Sequence, residues 1–119
     1  MARILIIDDS RTSRRILKNI FTEDNHEIVA EATNGQEGYE KYIELKPDIV
    51  TLDITMPVLD GLGALDKIMT FDPDAKVIMI TAAGQKEKMI EAIRLGAVEF
   101  IEKPYDKEQI SHLIKRLTE

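Results

Sequence analysis

Cysteine is absent from the 119-residue chain. That excludes a disulfide framework, a thiolate metal site and a thiol nucleophile. It is compatible with a reducing compartment, and the cytoplasm is the expected location. No apolar run reaches the ~20 residues of a membrane-spanning helix, and no signal peptide precedes the first apolar segment. No membrane association is therefore expected. There is no internal repeat, low-complexity tract or linker. Positive charge is in deficit, with 16 Lys and Arg against 22 Asp and Glu, a net charge of -6. This argues against binding nucleic acid, and an anionic ligand would need local positive help. What is present is ordinary for a soluble globular chain, at 44% hydrophobic and 32% charged residues. The length suits one domain over residues 1–119, burying roughly 65% of the surface its unfolded chain exposes.

Two periodicities alternate along the chain. Ile4 to Ile7 is a continuous apolar run ending at Asp8 and Asp9. From Ser10 the spacing turns helical, with Ile16, Leu17, Ile20 and Phe21 on one face and Arg11, Arg14, Arg15 and Lys18 elsewhere. Ile28 to Ala32 alternates as a weak strand, and a helix follows to about Leu45. A strand from Asp48 to Leu52 ends at Asp53, before the turn-rich MPVLDG. Leu62, Leu65, Ile68 and Met69 mark a third helix. A strand from Lys76 to Ile80 ends at Thr81, and a helix from about Gln85 to Leu95 is closed by Gly96. Val98 to Ile101 runs toward Lys103-Pro104, and Ile110, Leu113, Ile114 and Leu117 define the last helix.

Five strand–helix units in succession predict an α/β fold: one doubly wound, five-stranded parallel sheet with five helices on its two faces. Continuous apolar runs belong inside the sheet, and alternating ones at its edges. That fits the flavodoxin-like strand order 2-1-3-4-5.

Ligands of such sheets bind beyond the carboxyl ends of the strands, where the strand order reverses. Here the reversal lies between strands 1 and 3, so Asp8, Asp9 and Asp53 converge. Three carboxylates so close must share protons or bind a cation. All-oxygen ligands suit a hard cation, Mg²⁺, Mn²⁺ or Ca²⁺. Strands 4 and 5 bring the Thr81 hydroxyl and the Lys103 ammonium to the same rim. A cation, a hydroxyl and a lysine around one carboxylate suit a phosphoryl group, and an aspartate can carry it as an acyl phosphate. Asp53, the single carboxylate of its strand end, is the candidate nucleophile.

Each residue has a plainer reading. Asp9 or Ser10 could only cap the first helix. Asp53 could be a turn residue, Thr81 a structural hydroxyl and Lys103 a solvated charge. Their joint arrival at four strand ends favours function. His26 and His112 lack partners at metal-ligand spacing and read as surface residues. Met56, Met69, Met79 and Met89 read as core or loop filler. The Arg11, Arg14, Arg15, Lys18 cluster reads as a solvated face.

IDDS, LDITMPVLDG, ITAAG and EKPY, at the ends of strands 1, 3, 4 and 5, resemble the motifs of the receiver domain of bacterial two-component response regulators. The likeness spans essentially the whole chain and is nearest to stand-alone chemotaxis regulators of the CheY type, implying a CheY-like fold. It implies that Asp53 accepts a phosphoryl group from a histidine of a sensor kinase. It implies Mg²⁺ held by Asp9, Asp53 and the backbone carbonyl of Thr55, with Asp8 acting largely through water. Thr81 and Lys103 would contact phosphoryl oxygens, Phe100 would be the aromatic switch, and the Lys103-Pro104 bond would be cis. Helix 4, strand 5 and helix 5 would form the output surface. The implied role is that of a monomeric signalling phosphoacceptor rather than a conventional enzyme. Its downstream partner would be a flagellar motor switch protein or, in a phosphorelay, a phosphotransfer protein. Thr55 and Ala83 occupy positions that tune phosphoryl lifetime in such proteins.

Two other chemistries fit less well. An aspartate-nucleophile, Mg²⁺-dependent phosphatase of haloacid-dehalogenase type would need a second aspartate where Thr55 stands. A flavin-binding electron carrier would set its phosphate against Asp8 and Asp9. Nucleotide-binding glycine motifs are missing, since Gly61-Leu62-Gly63 follows a turn and lacks a third glycine.

Overall fold

The computed structural model describes residues 1–118. The elements alternate without exception: β1 (Arg3–Ile7), α1 (Arg11–Glu23), β2 (Glu27–Ala32), α2 (Gly35–Leu45), β3 (Ile49–Leu52), α3 (Gly61–Phe71), β4 (Val77–Ala82), α4 (Lys86–Leu95), β5 (Glu99–Lys103) and α5 (Lys107–Thr118). The strands form one sheet in the order β2-β1-β3-β4-β5, and every neighbouring pair is parallel. This is the doubly wound arrangement expected from the sequence. No helix among the described residues is long and apolar enough to cross a membrane.

Successive strand residues point to opposite faces, so each central strand feeds two cores. On one face Leu5, Ile7, Val50, Leu52, Val77 and Met79 pack with Tyr42, Leu65, Ile68 and Ala92 of α2, α3 and α4. On the other, Ile4, Ile6, Ile49, Ile78, Ile80 and Ile101 pack with Leu17, Ile20 and Phe21 of α1 and with Ile110, Leu113 and Ile114 of α5. Burial on both faces explains why β1, β3 and β4 read as unbroken apolar runs, while the edge strands β2 and β5 are only partly covered.

Four helices begin on side-chain caps at the carboxyl end of the sheet, α5 through Asp106, which accepts the Gln109 N–H at 2.7 Å. Ser10, Asn34 and Asp60 accept the backbone N–H of Ser13, Glu37 and Gly63, each satisfying a donor the helix itself leaves unpaired. These caps also fix the loops around the strand ends. Gly96, at φ 113°, closes α4 in the left-handed conformation, as its position after Leu95 predicts.

β3 and β4 begin one residue later than expected, at Ile49 and Val77, and β4 runs on through Thr81 to Ala82. Three further details differ from the sequence reading. Ile16 is half exposed rather than core, because it lies on the flank of the Leu17, Ile20, Phe21 stripe. β5 starts at Glu99, and Val98 stays outside the strand and exposed. His26 is not a free surface side chain. Its Nδ1 accepts the backbone N–H of Ala2 at 3.0 Å, which ties the α1–β2 turn to the start of β1.

Candidate functional site

The acidic cluster forms where β1 and β3 lie side by side. Asp8 follows β1 directly and is buried. Its backbone N–H donates to the Ala32 carbonyl at 3.0 Å, which locks it to β2. Its Oδ1 accepts the Ser10 N–H at 2.8 Å. Asp9 is exposed, and Ser10, not Asp9, caps α1. Asp53 follows β3, is half-buried, and donates its N–H to the Ile7 carbonyl at 3.0 Å. One carboxylate oxygen from each of Asp8, Asp9 and Asp53 lies within 4.8 Å of the others.

Two residues from the other half of the sheet complete the rim. Thr81 is buried on β4, and its hydroxyl donates to Asp53 Oδ1 at 2.8 Å. Lys103 ends β5, and its Nζ bridges Asp8 Oδ2 at 3.4 Å and Ser13 Oγ at 3.1 Å. The lysine thus faces Asp8, not Asp53. The Lys103-Pro104 peptide bond is cis. Phe100 is half-buried, pairs with Met79 across β4 and β5, and packs on the α2–α4 core. Thr55 is exposed in the loop after β3.

That loop approaches the site closely because two glycines permit it. A Cβ on Gly61 would sit 2.0 Å from the Asp53 carbonyl oxygen, so only glycine lets α3 begin against the backbone of Asp53. Gly61 N–H donates to the Ile54 carbonyl at 2.7 Å. Across the loop, Gly35 N–H donates to the Leu59 carbonyl at 2.9 Å, where a Cβ would approach that oxygen to 2.2 Å.

The electrostatics follow from this crowding. Burial pushes the Asp8 carboxyl above its ordinary value. The Ser10 N–H and the Lys103 charge pull it down, and the Asp53 charge pushes it up again. The Tyr105 phenol is pushed up to about 12, first by burial and then by the Asp8 charge. A group of oxygen-only donors dominated by negative charge fits a hard divalent cation, which would relieve the repulsion between Asp8 and Asp53.

Asp8, Asp9, Asp53, Thr81 and Lys103 therefore reach one rim. Phe100 lies on the neighbouring strand β5, and the Thr55 side chain, in the loop after β3, makes no hydrogen bond to the cluster. Three further residues escaped sequence reasoning. Ser13 holds the Lys103 ammonium. Arg14 donates from Nη1 to the Asp8 carbonyl at 2.8 Å and is steadied by Glu31 at 3.2 Å. Tyr105 packs with the α1–α5 core near Asp8. Ser13 and Arg14 lie on the first turn after Ser10, so a helix opening at the strand ends was the available signal. The arginine cluster, by contrast, is not uniformly solvated, because Arg14 is largely covered.

Comparison with known proteins agrees with this arrangement. The description of the response regulator receiver domain matches residues 4–115. The chemotaxis protein CheY of Thermotoga maritima is 47% identical over 116 residues, covering 98% of this chain and 97% of that protein. CheY of Listeria monocytogenes is 49% identical, with 98% of each covered. Among solved structures, a chain of the CheX–CheY–BeF3–Mg²⁺ complex of Borrelia burgdorferi superposes with a TM-score of 0.93 at 39% identity, covering 98% of this chain and 89% of that one. The acidic cluster at the β1–β3 strand ends thus sits in a chain that belongs to the response regulator receiver domain family.

Proposed function

We propose that the chain, as one receiver domain over residues 1–119, takes a phosphoryl group from a phosphorylated histidine of a sensor kinase onto Asp53. The observation that carries this reading is the surrounding of Asp53. Its carboxylate ends the central strand beside two other carboxylates, accepts the Thr81 hydroxyl, and shares a rim with an ammonium.

One Asp53 carboxylate oxygen attacks phosphorus, the phosphorus–nitrogen bond of the donor breaks, and the imidazole nitrogen leaves with its electron pair. Asp8, Asp9, Asp53 and the backbone carbonyl of Thr55 are the residues that would hold Mg²⁺. When bound, Mg²⁺ supplies charge neutralisation at the phosphoryl oxygens. Lys103 turns its ammonium from Asp8 to a phosphoryl oxygen. Thr81 exchanges its bond to the free carboxylate for one to another phosphoryl oxygen. That draws the hydroxyl away from the space in front of Phe100, and the ring follows. A local charge change thereby biases the surface of α4, β5 and α5. The relatives named as chemotaxis proteins support a role in chemotaxis, as a cytoplasmic monomer acting on an effector protein.

Intact-protein mass spectrometry after incubation with Mg²⁺ and acetyl phosphate tests this reading. The wild type should gain one phosphoryl group, labile to hydroxylamine, and Asp53→Asn should gain none. Full uptake by Asp53→Asn would move the acceptor elsewhere.

A further inference from the structure

Among the described residues, the Lys103 ammonium is the one cation paired with a carboxylate of the acidic cluster. Charge alone does not explain where it sits. A charge-assisted N–H···O contact closes to about 2.7–2.9 Å when nothing restrains it. Lys103 Nζ stays 3.4 Å from Asp8 Oδ2 and only 3.1 Å from Ser13 Oγ. The shorter bond is to the neutral hydroxyl. Asp53 takes its hydrogen bond from Thr81 instead.

Both ends of the Ser13–Lys103 bond are fixed. Ser10 accepts the Ser13 N–H at 3.2 Å, and the helix that carries Ser13 is anchored by buried Leu17, Ile20 and Phe21. Lys103 is the last residue of β5 and pairs with Ala82 of β4. Nothing else calls for a hydroxyl at position 13. Ser13 does not cap α1, its Oγ has Lys103 as its one hydrogen-bond partner among the described residues, and serine is a poorer helix former than alanine. The bond also opposes both events proposed for the site. A divalent cation drawn in by Asp8, Asp9 and Asp53 meets an ammonium already on Asp8, and like charges repel. A phosphoryl group on Asp53 needs that ammonium on its own oxygens.

We propose that Ser13 is a positioning residue that holds Lys103 in a resting place on Asp8, so that Mg²⁺ binding and phosphoryl uptake must each first break the Ser13–Lys103 bond. The proposal rests on the reading of the acidic cluster as the Mg²⁺ and phosphoryl site. Without the hydroxyl, Lys103 keeps only its long contact to Asp8 and moves away more easily. The side chain at position 13 thereby sets how much Mg²⁺ the site requires, although it touches neither the cation nor the phosphoryl group.

The test is a Mg²⁺ titration followed by backbone amide chemical shifts, with no phosphodonor present. It compares the wild type with Ser13→Ala, Ser13→Thr, Lys103→Met and the double variant Ser13→Ala/Lys103→Met. Ser13→Ala should bind Mg²⁺ about fivefold more tightly, the equivalent of one modest hydrogen bond. Ser13→Thr keeps the hydroxyl and should stay near the wild type. In the Lys103→Met background Ser13→Ala should change nothing, because the effect runs through the ammonium. The Mg²⁺ concentration for half-maximal labelling of Asp53 by phosphoramidate should fall by the same factor in Ser13→Ala. Thermal melting of Ser13→Ala should not fall, which separates the gain from a loosened fold. Unchanged or weaker Mg²⁺ binding by Ser13→Ala, or an equal gain in the Lys103→Met background, would overturn the proposal. Failure of phosphoramidate to label the wild type, beside the expected titrations, would overturn the acceptor reading and leave the resting place of Lys103 standing. A wild type that binds no Mg²⁺ would overturn the cation reading and the proposal with it.

Discussion

α1 and α4 flank the same site and are held in opposite ways. α1 begins on the Ser10 cap and buries Leu17, Ile20 and Phe21 under the sheet. Its first turn supplies Ser13 to Lys103 and Arg14 to the Asp8 carbonyl. α4 has no side-chain cap and buries only Ala92. Ile90 and Ile93 stay 49% and 57% exposed. Gly84, just before α4, has a φ of 89° and nothing within 4 Å of where a side chain would begin. The difference shows where the fold is rigid. The helix that orients the acidic cluster is fixed by packing, and the helix that follows the Thr81 strand is held lightly. Regions with few buried apolar contacts open at low free energy, so α4 is expected to open more readily than α1.

The largest expected effect puts this contrast to the proof. Phe21→Ala should destabilise the chain by about 3–5 kcal/mol, because a fully buried ring leaves a cavity. Ile93→Ala should stay within about 0.5 kcal/mol, as at surface positions generally. Urea unfolding of both variants measures the gap. Similar losses would mean that α4 is packed as firmly as α1, and the contrast would fail.

A middle-sized effect sharpens the same comparison by locating a flaw in the firmer half. Thr51 is buried at the centre of β3 between Ile6 and Ile78, on the face that α1 and α5 cover. Its hydroxyl is the one buried side-chain oxygen without a partner among the described residues. Thr51→Val keeps the shape and removes the unpaired group, so stability should rise by about 1 kcal/mol. A loss of stability in urea unfolding would show that the hydroxyl is satisfied in solution.

These same residues show what the sequence could and could not tell. The apolar runs, the helical spacings and the acids at strand ends are local patterns, and they suffice for the alternation of strands and helices and for which strands lie inside the sheet. The cluster of Asp8, Asp9 and Asp53 follows only once the known doubly wound order is adopted. Lys103 could be placed on the rim by its strand, but its pairing with Asp8 and Ser13 could not be read. A long side chain chooses among partners that only the folded chain brings within reach. Ile90 and Ile93 match the apolar spacing of a buried helix, and periodicity does not say how much of a helix its neighbours cover. Val58 was opaque for a different reason. Valine favours extended backbone, yet Val58 has a φ of 68° in a loop closed by the hydrogen bonds from Gly35 to the Leu59 carbonyl and from Gly61 to the Ile54 carbonyl, neither of which local propensity shows.

The smallest expected effect concerns the far end of α1. His26 fastens the turn after α1 to β1 by accepting the Ala2 N–H, which requires an unprotonated Nδ1. Its pKa lies below the ordinary value, chiefly through burial and then through the N-terminal amine, with the Asp24 charge acting against both. An unfolded chain protonates its histidine near pH ~6.5. The folded chain does so only at lower pH. Between those two values the unfolded state holds the extra proton, so stability falls as pH drops through that window and is level above it. His26→Gln has no such proton to take up. The stability advantage of the wild type over His26→Gln in urea unfolding should therefore shrink from pH 7.5 to pH 5.5, by less than either effect above. α4 has no titratable tether of this kind at its Gly96 terminus, so amide exchange in α4 should show no matching change over the same range. An advantage that stays constant with pH would remove His26 from the set of contacts that make α1 the firmer helix.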